Sequence, residues 1–360
     1  MSLVLKTPPE LHFMIFAMVP VSTQLALLRT CRYMFNVGVV ALYRHITVSN
    51  IGARKLALTI LTTKRFNYER LVRTLSYSAS NIDDLYLTYP LLIDAICCMK
   101  YLTSVSFTIP RLHTATFMVN ARDKGLVREP SSFFDSIPKL LAGDPSSSCR
   151  YTLPRLEKLA FDGDVELIKI GCCHRLTNLT MSSQVTAKEL GGVFNTINGG
   201  HLRRLDVAVF TSTTKELLYV LYGISRECPN LWTIEVTTGM FNAIELTEMM
   251  CLPPALFPVV RTIGINSQDV RPPVFGTLPR TCYAKQKDEL EKARSYMSYL
   301  ETVKFGIVRW QYKDSRVVEG RWESDAFGGD HAIASDGVRS YEQGCYSCLF
   351  LVEEKKSKEN

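Results

Sequence analysis

A three-point apolar pattern recurs along most of this 360-residue chain: a large apolar residue, then others three and five positions later. It reads Val72-Leu75-Tyr77, Leu102-Val105-Phe107, Leu156-Leu159-Phe161 and Leu176-Leu179-Met181, then Leu202-Leu205-Val207, Leu231-Ile234-Val236, Val260-Ile263-Ile265 and Leu300-Val303-Phe305. The middle residues are separated by 30, 54, 20, 26, 29, 29 and 40 positions. One such triple arises by chance about once in 30 positions. Context makes the series meaningful, because many copies follow a polar or turn-forming pair, as at Pro154-Arg155, His174-Arg175, Pro229-Asn230 and Ser298-Tyr299. Between copies lie segments with helical spacing: Asp84 to Met99, Ala187 to Ile197, Thr214 to Glu227 and Asn242 to Met250. Each unit therefore predicts one short strand followed by one helix.

Most spacings fall near the period of about 20–29 residues that marks leucine-rich repeats, which this region resembles. The expected fold class is α/β. Residues 71–308 should form an irregular solenoid, with parallel strands on a concave face and helices outside. The slot that carries an Asn ladder in a regular array holds Pro110, Asp164, Gln184, Phe210, Gly239, Gln268 and Val308. The turn after each strand must then satisfy its backbone groups by other means. Two long gaps predict insertions: Arg111 to Tyr151, with a short helix at Phe133 to Leu141 between Ser/Pro/Gly-rich loops, and the Pro-rich Ser267 to Arg280. A mixed-charge helix is expected from Ala284 to Leu300. Residues 309–352 should close the array. There a strand from Val303 to Tyr312, a turn at Lys313-Asp314-Ser315 and a return strand at Val317 to Trp322 form a hairpin cap, before a loop from Ser324 to Asp336. Residues 353–360 read as a disordered tail, and 47–70 as a linker with the first helices.

The opening residues 5–46 form a separate helical module. Thr7 is placed to cap a helix, Pro8 and Pro9 to open it and Glu10 to complement its dipole. Leu11, Met14, Ile15 and Met18 fall on one stripe, yet Phe13, Phe16, Ala17 and Val19 occupy the other side. A short helix that is apolar nearly all round does not sit bare on a surface. After Pro20, Ser22 should cap a second helix with the stripe Leu25, Leu28, Cys31 and Phe35, broken by Asn36 and Gly38. A third segment runs from Val39 to Tyr43. Three such helices bury little among themselves, so their surplus apolar surface predicts a partner. A second reading makes the module a cap packed on the rest of the chain.

The run Pro8-Pro9-Glu10-Leu11, then Ile15-Phe16, Leu25, Leu28, Cys31-Arg32 and Leu42-Tyr43-Arg44-His45-Ile46 resembles an F-box, in particular that of large fungal F-box proteins with leucine-rich repeats. It departs from the family at Thr7, where Leu is usual, and at Thr23-Gln24, where an acidic or apolar residue is usual. The resemblance implies a three-helix unit that docks a Skp-type adaptor and, through it, a cullin–RING ubiquitin ligase. It implies that Pro9, Leu11, Ile15, Phe16, Leu25, Leu28, Cys31 and Arg32 face the adaptor, with Phe16 as an anchor. Leu42 and Tyr43 would brace the module against the next domain.

Composition agrees with a folded chain: 46% hydrophobic and 21% charged residues. The net charge of +7 is spread without a block of like charges, which predicts no nucleic-acid partner. Leu11 to Val19 imitates a signal-peptide core but has Glu10 and Pro8-Pro9 where a basic leader belongs, and no run is long enough to cross a membrane. The eleven cysteines include the adjacent pairs Cys97-Cys98 and Cys172-Cys173. Cys31, Cys97 and Cys251 read as small buried hydrophobes in a reducing compartment, hence a cytoplasmic or nuclear protein.

No phosphate loop, dinucleotide fingerprint or nucleophile elbow occurs, and the six histidines are dispersed. Cys345-x-x-Cys348 lacks a second pair at zinc spacing, and Gly328-Gly329-Asp330-His331 reads as a solvated loop. Asn178-Leu179-Thr180 falls inside an expected strand, so its match to a glycosylation sequon is coincidence. Trp232, Trp310 and Trp322 read as core or concave-face anchors. No enzyme, cofactor or metal is expected. The sequence predicts a substrate-recognition subunit holding an unidentified protein client on strand positions such as Lys158, Asn178, Arg204, Thr233, Thr262 and Thr302. The alternative is a repeat scaffold that binds proteins without ubiquitination.

Overall fold

A computed structural model describes residues 8–63, 66–79, 85–127, 152–172, 174–211, 213–239, 256–267, 279–305, 308–315 and 318–324. The chain is mixed α/β and divides into two compact units: Met1–Ser183 with Asn195–Asn198, and Gln184–Phe194 with Gly199–Asn360.

The first unit opens with α1 (Pro9–Met18), α2 (Val21–Leu28) and α3 (Arg32–Arg44). Strands β1 (His45–Ser49), β2 (Thr74–Ser78), β3 (Ser104–Thr108), β4 (Lys158–Asp162) and β5 (Asn178–Val185) follow, each pairing in parallel with the next. Their registers align Ile46, Leu75, Val105, Leu159 and Leu179 in one row. Helices α4 (Asn50–Thr62), α5 (Leu85–Cys98) and α6 (Arg111–Asp123) make three of the connections. The shortest connection, between β4 and β5, holds the 3-10 helix Val165–Gly171 and no α-helix. A 3-10 helix rises about 2.0 Å per residue, against about 1.5 Å for an α-helix. It therefore spans the return with fewer residues, which accounts for the spacing of 20.

In the second unit β6 (Arg204–Val209), β7 (Thr233–Thr238), β8 (Thr262–Ser267) and β9 (Thr302–Phe305) pair in parallel, with Leu205, Ile234, Ile263 and Val303 in register. Helices α7 (Ala187–Thr196), α8 (Thr214–Glu227) and α9 (Pro279–Tyr296) belong to the same stretch of chain. Then β10 (Val308–Ser315) turns back antiparallel on β9, and β11 (Val318–Ser324) antiparallel on β10.

All eight middle residues of the apolar triples lie in strands and are at most 1% exposed. The leading residues, from Val72 to Leu300, are buried with them. Each fully buried aliphatic or aromatic side chain contributes about 1.5–3 kcal/mol, so these rows dominate the core of both units. The alternate residues Thr74, Ser76, Lys158 and Arg204 point away from it, as period-two strands require.

Several expectations need correction. Residues 47–70, expected as a linker with the first helices, hold α4 but open inside the strand β1, and Tyr43-Ile46-Val48 repeats the apolar spacing 29 positions before Leu75. The second helix ends at Leu28, not beyond Cys31, and Asn36 and Gly38 lie inside an unbroken α3. Pro20, not Ser22, is the residue ahead of α2. A helix, α6, fills the start of the first expected insertion. The strand from Val303 to Tyr312 is two antiparallel strands, and β10 continues through the turn expected at Lys313-Asp314-Ser315. Cys31 is exposed and Cys97 half-buried, not core. Thr7, the helices at 133–141 and 242–250, residues 325–336, the tail and Cys251, His331, Cys345 and Cys348 lie outside the described residues.

Side chains serve the turns at several strand ends. Ser183 Oγ accepts from the Gly163 amide and donates to Asp162 Oδ1, both at 2.6 Å. Asp164 accepts from the Glu166 amide at 2.9 Å. In the second unit Thr211 and Thr238 share a buried hydroxyl hydrogen bond of 2.8 Å. Unpaired buried polar groups are costly, so these contacts keep the turns at the strand ends satisfied.

Candidate functional site

The opening module is built around α3. Helix α1 has Pro8 ahead of its first residue, Pro9, and Glu10 in its first turn, where a carboxylate favours the positive end of the helix. Its inward residues are His12 and Phe16, 5% and 1% exposed. The His12 ring meets Tyr33 of α3 edge-on, with Nδ1 2.9 Å from the tyrosine hydroxyl. Phe16 lies against Gly38, where a β-carbon would overlap its ring and come within 2.5 Å of Leu28 Cδ2. Glycine is thus kept in a helix interior for close packing, although it weakens a helix by about 1 kcal/mol relative to alanine. Gln24 of α2 donates to the Phe16 carbonyl at 2.7 Å and the Val19 carbonyl at 2.9 Å. These are free carbonyls at the end of α1, so Gln24 closes that helix and fixes the α1–α2 corner.

The opposite face of α1 is bare. Leu11, Met14, Ile15 and Met18, together with Val21 and Leu25 of α2, are 46–82% exposed. The four on α1 fall at i, i+3, i+4 and i+7, one stripe of a helix. Leu11, Ile15, Leu25, Cys31 and Arg32 are therefore all exposed, while Leu28 is half-buried and packs toward Gly38. Phe16 is corrected: it faces inward and cannot serve as an exposed anchor. Pro9 is the first residue of α1. Met14 and Met18, on the stripe that helical spacing marks, and Val21 at the start of α2 are exposed with them. Cys31 is also the residue ahead of α3, its Sγ accepting from the Met34 amide at 3.5 Å.

The far side of α3 is anchored to its own unit. Tyr43 stacks on Tyr68 with centroids 4.5 Å apart, and Phe35 meets Phe66 at 5.3 Å. The Arg44 guanidinium lies 5.6 Å from the Phe13 ring centroid. Tyr43 thus braces the module, as expected.

The outward strand positions form a second surface. Arg204, Thr233, Thr262 and Thr302 stand in one row of the second unit, and Lys158 pairs with Asn178 in the first. Two residues along, Glu235 accepts from Arg204 at 3.4 Å and from Lys304 at 3.1 Å. Lys304 reaches it across Gly264, where a β-carbon would stand 3.2 Å from Glu235 Cγ. Burial, and secondly the Glu235 carboxylate, raise the Asp206 carboxyl above its ordinary range, against the opposite pull of Arg204 and Lys304. Trp232, 43% exposed, has Arg203 at 4.5 Å and Arg261 at 5.7 Å from its ring. Trp310 and Trp322 are buried, with the Trp310 indole donating to Gln286 at 3.0 Å.

Among the described residues no three His, Cys, Asp or Glu side chains converge as metal ligands, and no helix is long and apolar enough to cross a membrane. Burial lowers the His174 imidazole below its ordinary range. His45 meets the Thr74 hydroxyl at 2.8 Å. No protein-family model matches the chain, and no curated protein matches it.

Proposed function

We propose that this chain is a substrate-recognition subunit of a cullin–RING ubiquitin ligase of the SCF type. The F-box-like module grips a Skp-type adaptor through the exposed face of α1 and α2. The strand–helix units act as an irregular leucine-rich-repeat solenoid whose open strand positions hold a protein client. The chain contributes no chemistry of its own. It raises the local concentration of client lysines near the loaded ubiquitin, which is catalysis by proximity. Cytoplasm or nucleus is where such a ligase works.

One observation carries this reading: six large apolar side chains lie uncovered on two consecutive helices whose own core is already filled by Phe16, Gly38 and Leu28. A helix stripe of this kind binds by packing aliphatic anchors into a partner's groove. Pull-down with a Skp-type adaptor tests it, using wild type and the double variant Leu11→Asp with Ile15→Asp. Both positions are exposed, so each change alters folding stability by about 0.5 kcal/mol or less. Wild type should retain the adaptor and bring down cullin and ubiquitin conjugates, and the variant should lose all three. Retention by the folded variant would refute the docking face. Adaptor without cullin would instead identify a non-degradative scaffold.

A further inference from the structure

The strand entries of the first unit carry a concentration of cations that the fold itself does not use. The backbone at the start of β2, β3, β4 and β5 is knitted across neighbours: Thr103 donates to the Arg73 carbonyl, Glu157 to Thr103 and Thr177 to Glu157, all at 2.8–2.9 Å. Adjacent strands stand about 4.8 Å apart, so this rim spans about 15 Å. Along it lie Arg70, Arg73, Lys100, Arg155, Lys158 and Arg175, five exposed and Arg73 half-buried, against two acids, Glu69 and Glu157. Among the described residues none of the six is ion-paired with a carboxylate. The Arg73 guanidinium donates to the Arg70 and Val72 carbonyls.

Two of these cations lie over the ring of Tyr101. The Arg73 guanidinium is 5.0 Å from its ring centroid and that of Arg155 is 4.6 Å. The attraction of the guanidinium to the ring holds it in place, and its N–H edge carries the donors. For Arg155 that edge is a fork of donors without an acceptor among the described residues, the geometry that takes a carboxylate in two parallel hydrogen bonds. Arg175 repeats the placement on the next strand, immediately ahead of Leu176 as Arg155 is ahead of Leu156.

We propose that this rim is a docking site for an acidic polypeptide segment, a run of aspartate or glutamate side chains in extended conformation. Charge complementarity identifies the occupant. A nucleic-acid strand fits less well, because the Arg73 and Arg155 guanidiniums both lie over the Tyr101 ring and compete with any base for it as a stacking platform. Glu69 and Glu157 also interrupt the track that a continuous phosphate backbone would follow. The site stands whether or not the opening module docks an adaptor.

The test uses the full chain and a fluorescein-labelled deca-glutamate peptide, read by anisotropy at about 0.05 M and about 0.3 M salt. Wild type should bind at low salt and weaken at high salt. Arg155→Glu with Arg175→Glu should weaken binding at least about tenfold, the scale of one charge-assisted contact. Both side chains are exposed, and an unchanged circular dichroism spectrum and unchanged pull-down of the Skp-type adaptor would show the loss to be local. Arg155→Lys, which keeps the charge and removes the fork, should lose part of the affinity. Equal binding by wild type and the double-glutamate variant would overturn the proposal. So would stronger binding of an oligothymidylate of equal charge, which would make the rim a nucleic-acid site, or of a phosphorylated peptide over the glutamate one.

Discussion

Gly38 of α3 lies directly beneath the ring of Phe16 of α1, so close that a β-carbon there has no room. Two effects oppose each other in Gly38→Ala. Helix propensity gains about 1 kcal/mol. Overlap with Phe16 and Leu28 costs about 1–3 kcal/mol, and contact with two side chains at once puts it toward the upper end. The variant should be less stable, with α1 detaching first. Phe16→Ala should be worse, by about 3–5 kcal/mol, because it empties the module's centre. Hydrogen exchange of the α1 amides reads both. Faster exchange confined to α1–α3 is expected, and protection equal to wild type would contradict the packing.

Gln24 offers a sharper test of the α1–α2 corner. Its amide nitrogen donates to two carbonyls that otherwise face an exposed helix end. Gln24→Ala should cost about 1–2 kcal/mol. Gln24→Glu keeps the shape but turns the donor into an acceptor facing two carbonyl oxygens, and it should cost more than the alanine. Urea midpoints at neutral pH give the order directly, and the reverse order would mean that the corner is held by packing alone.

Asp206 carries a pH signature. Burial, helped by the nearby Glu235 carboxylate, raises its pKa in the folded chain. The unfolded chain then loses this proton at lower pH than the folded one. Stability from this group is greatest in acid and declines as pH rises from the ordinary carboxylate value through the raised one. Asp206→Asn removes the penalty. Its urea midpoint should exceed wild type near neutral pH, with the difference closing as pH falls to about 3. A gap that widened in acid would reverse the sign and discredit the burial argument.

The repeat was legible because its physics is local: Leu75, Val105, Leu159 and the five later middle residues are each a strand's innermost side chain. Tyr43-Ile46-Val48 has the same spacing, with Ile46 half-buried, but Tyr43 also lies in the last turn of α3, so helical reading concealed the first strand. The reversal between Phe305 and Val308 was invisible, because two adjacent apolar strands and one long strand share a composition. Helix α1 shows the deeper limit. With apolar residues on every side, periodicity cannot say which stripe faces α3. The choice rests on the Gly38 gap, which admits the Phe16 ring, and a glycine in sequence reads first as a breaker.

Cysteine reactivity separates the two environments that the sequence merged. The Cys228 thiol is fully buried, and burial, with Glu227 nearby, pushes it up to about 12. Burial likewise takes Cys97 to about 11, with Asp94 and Cys98 adding to it. The thiolate is the nucleophile, so both should resist iodoacetamide at about pH 8 until the chain unfolds. Cys31 is exposed at the start of α3 and should label ahead of Cys97 and Cys228, as peptide mass mapping over time would record. It also flanks the proposed adaptor face. A saturating Skp-type adaptor should therefore slow labelling of Cys31 and leave Cys97 and Cys228 as they were. Labelling of Cys31 at an unchanged rate in a verified complex would place the adaptor elsewhere on the module, away from the α2–α3 corner.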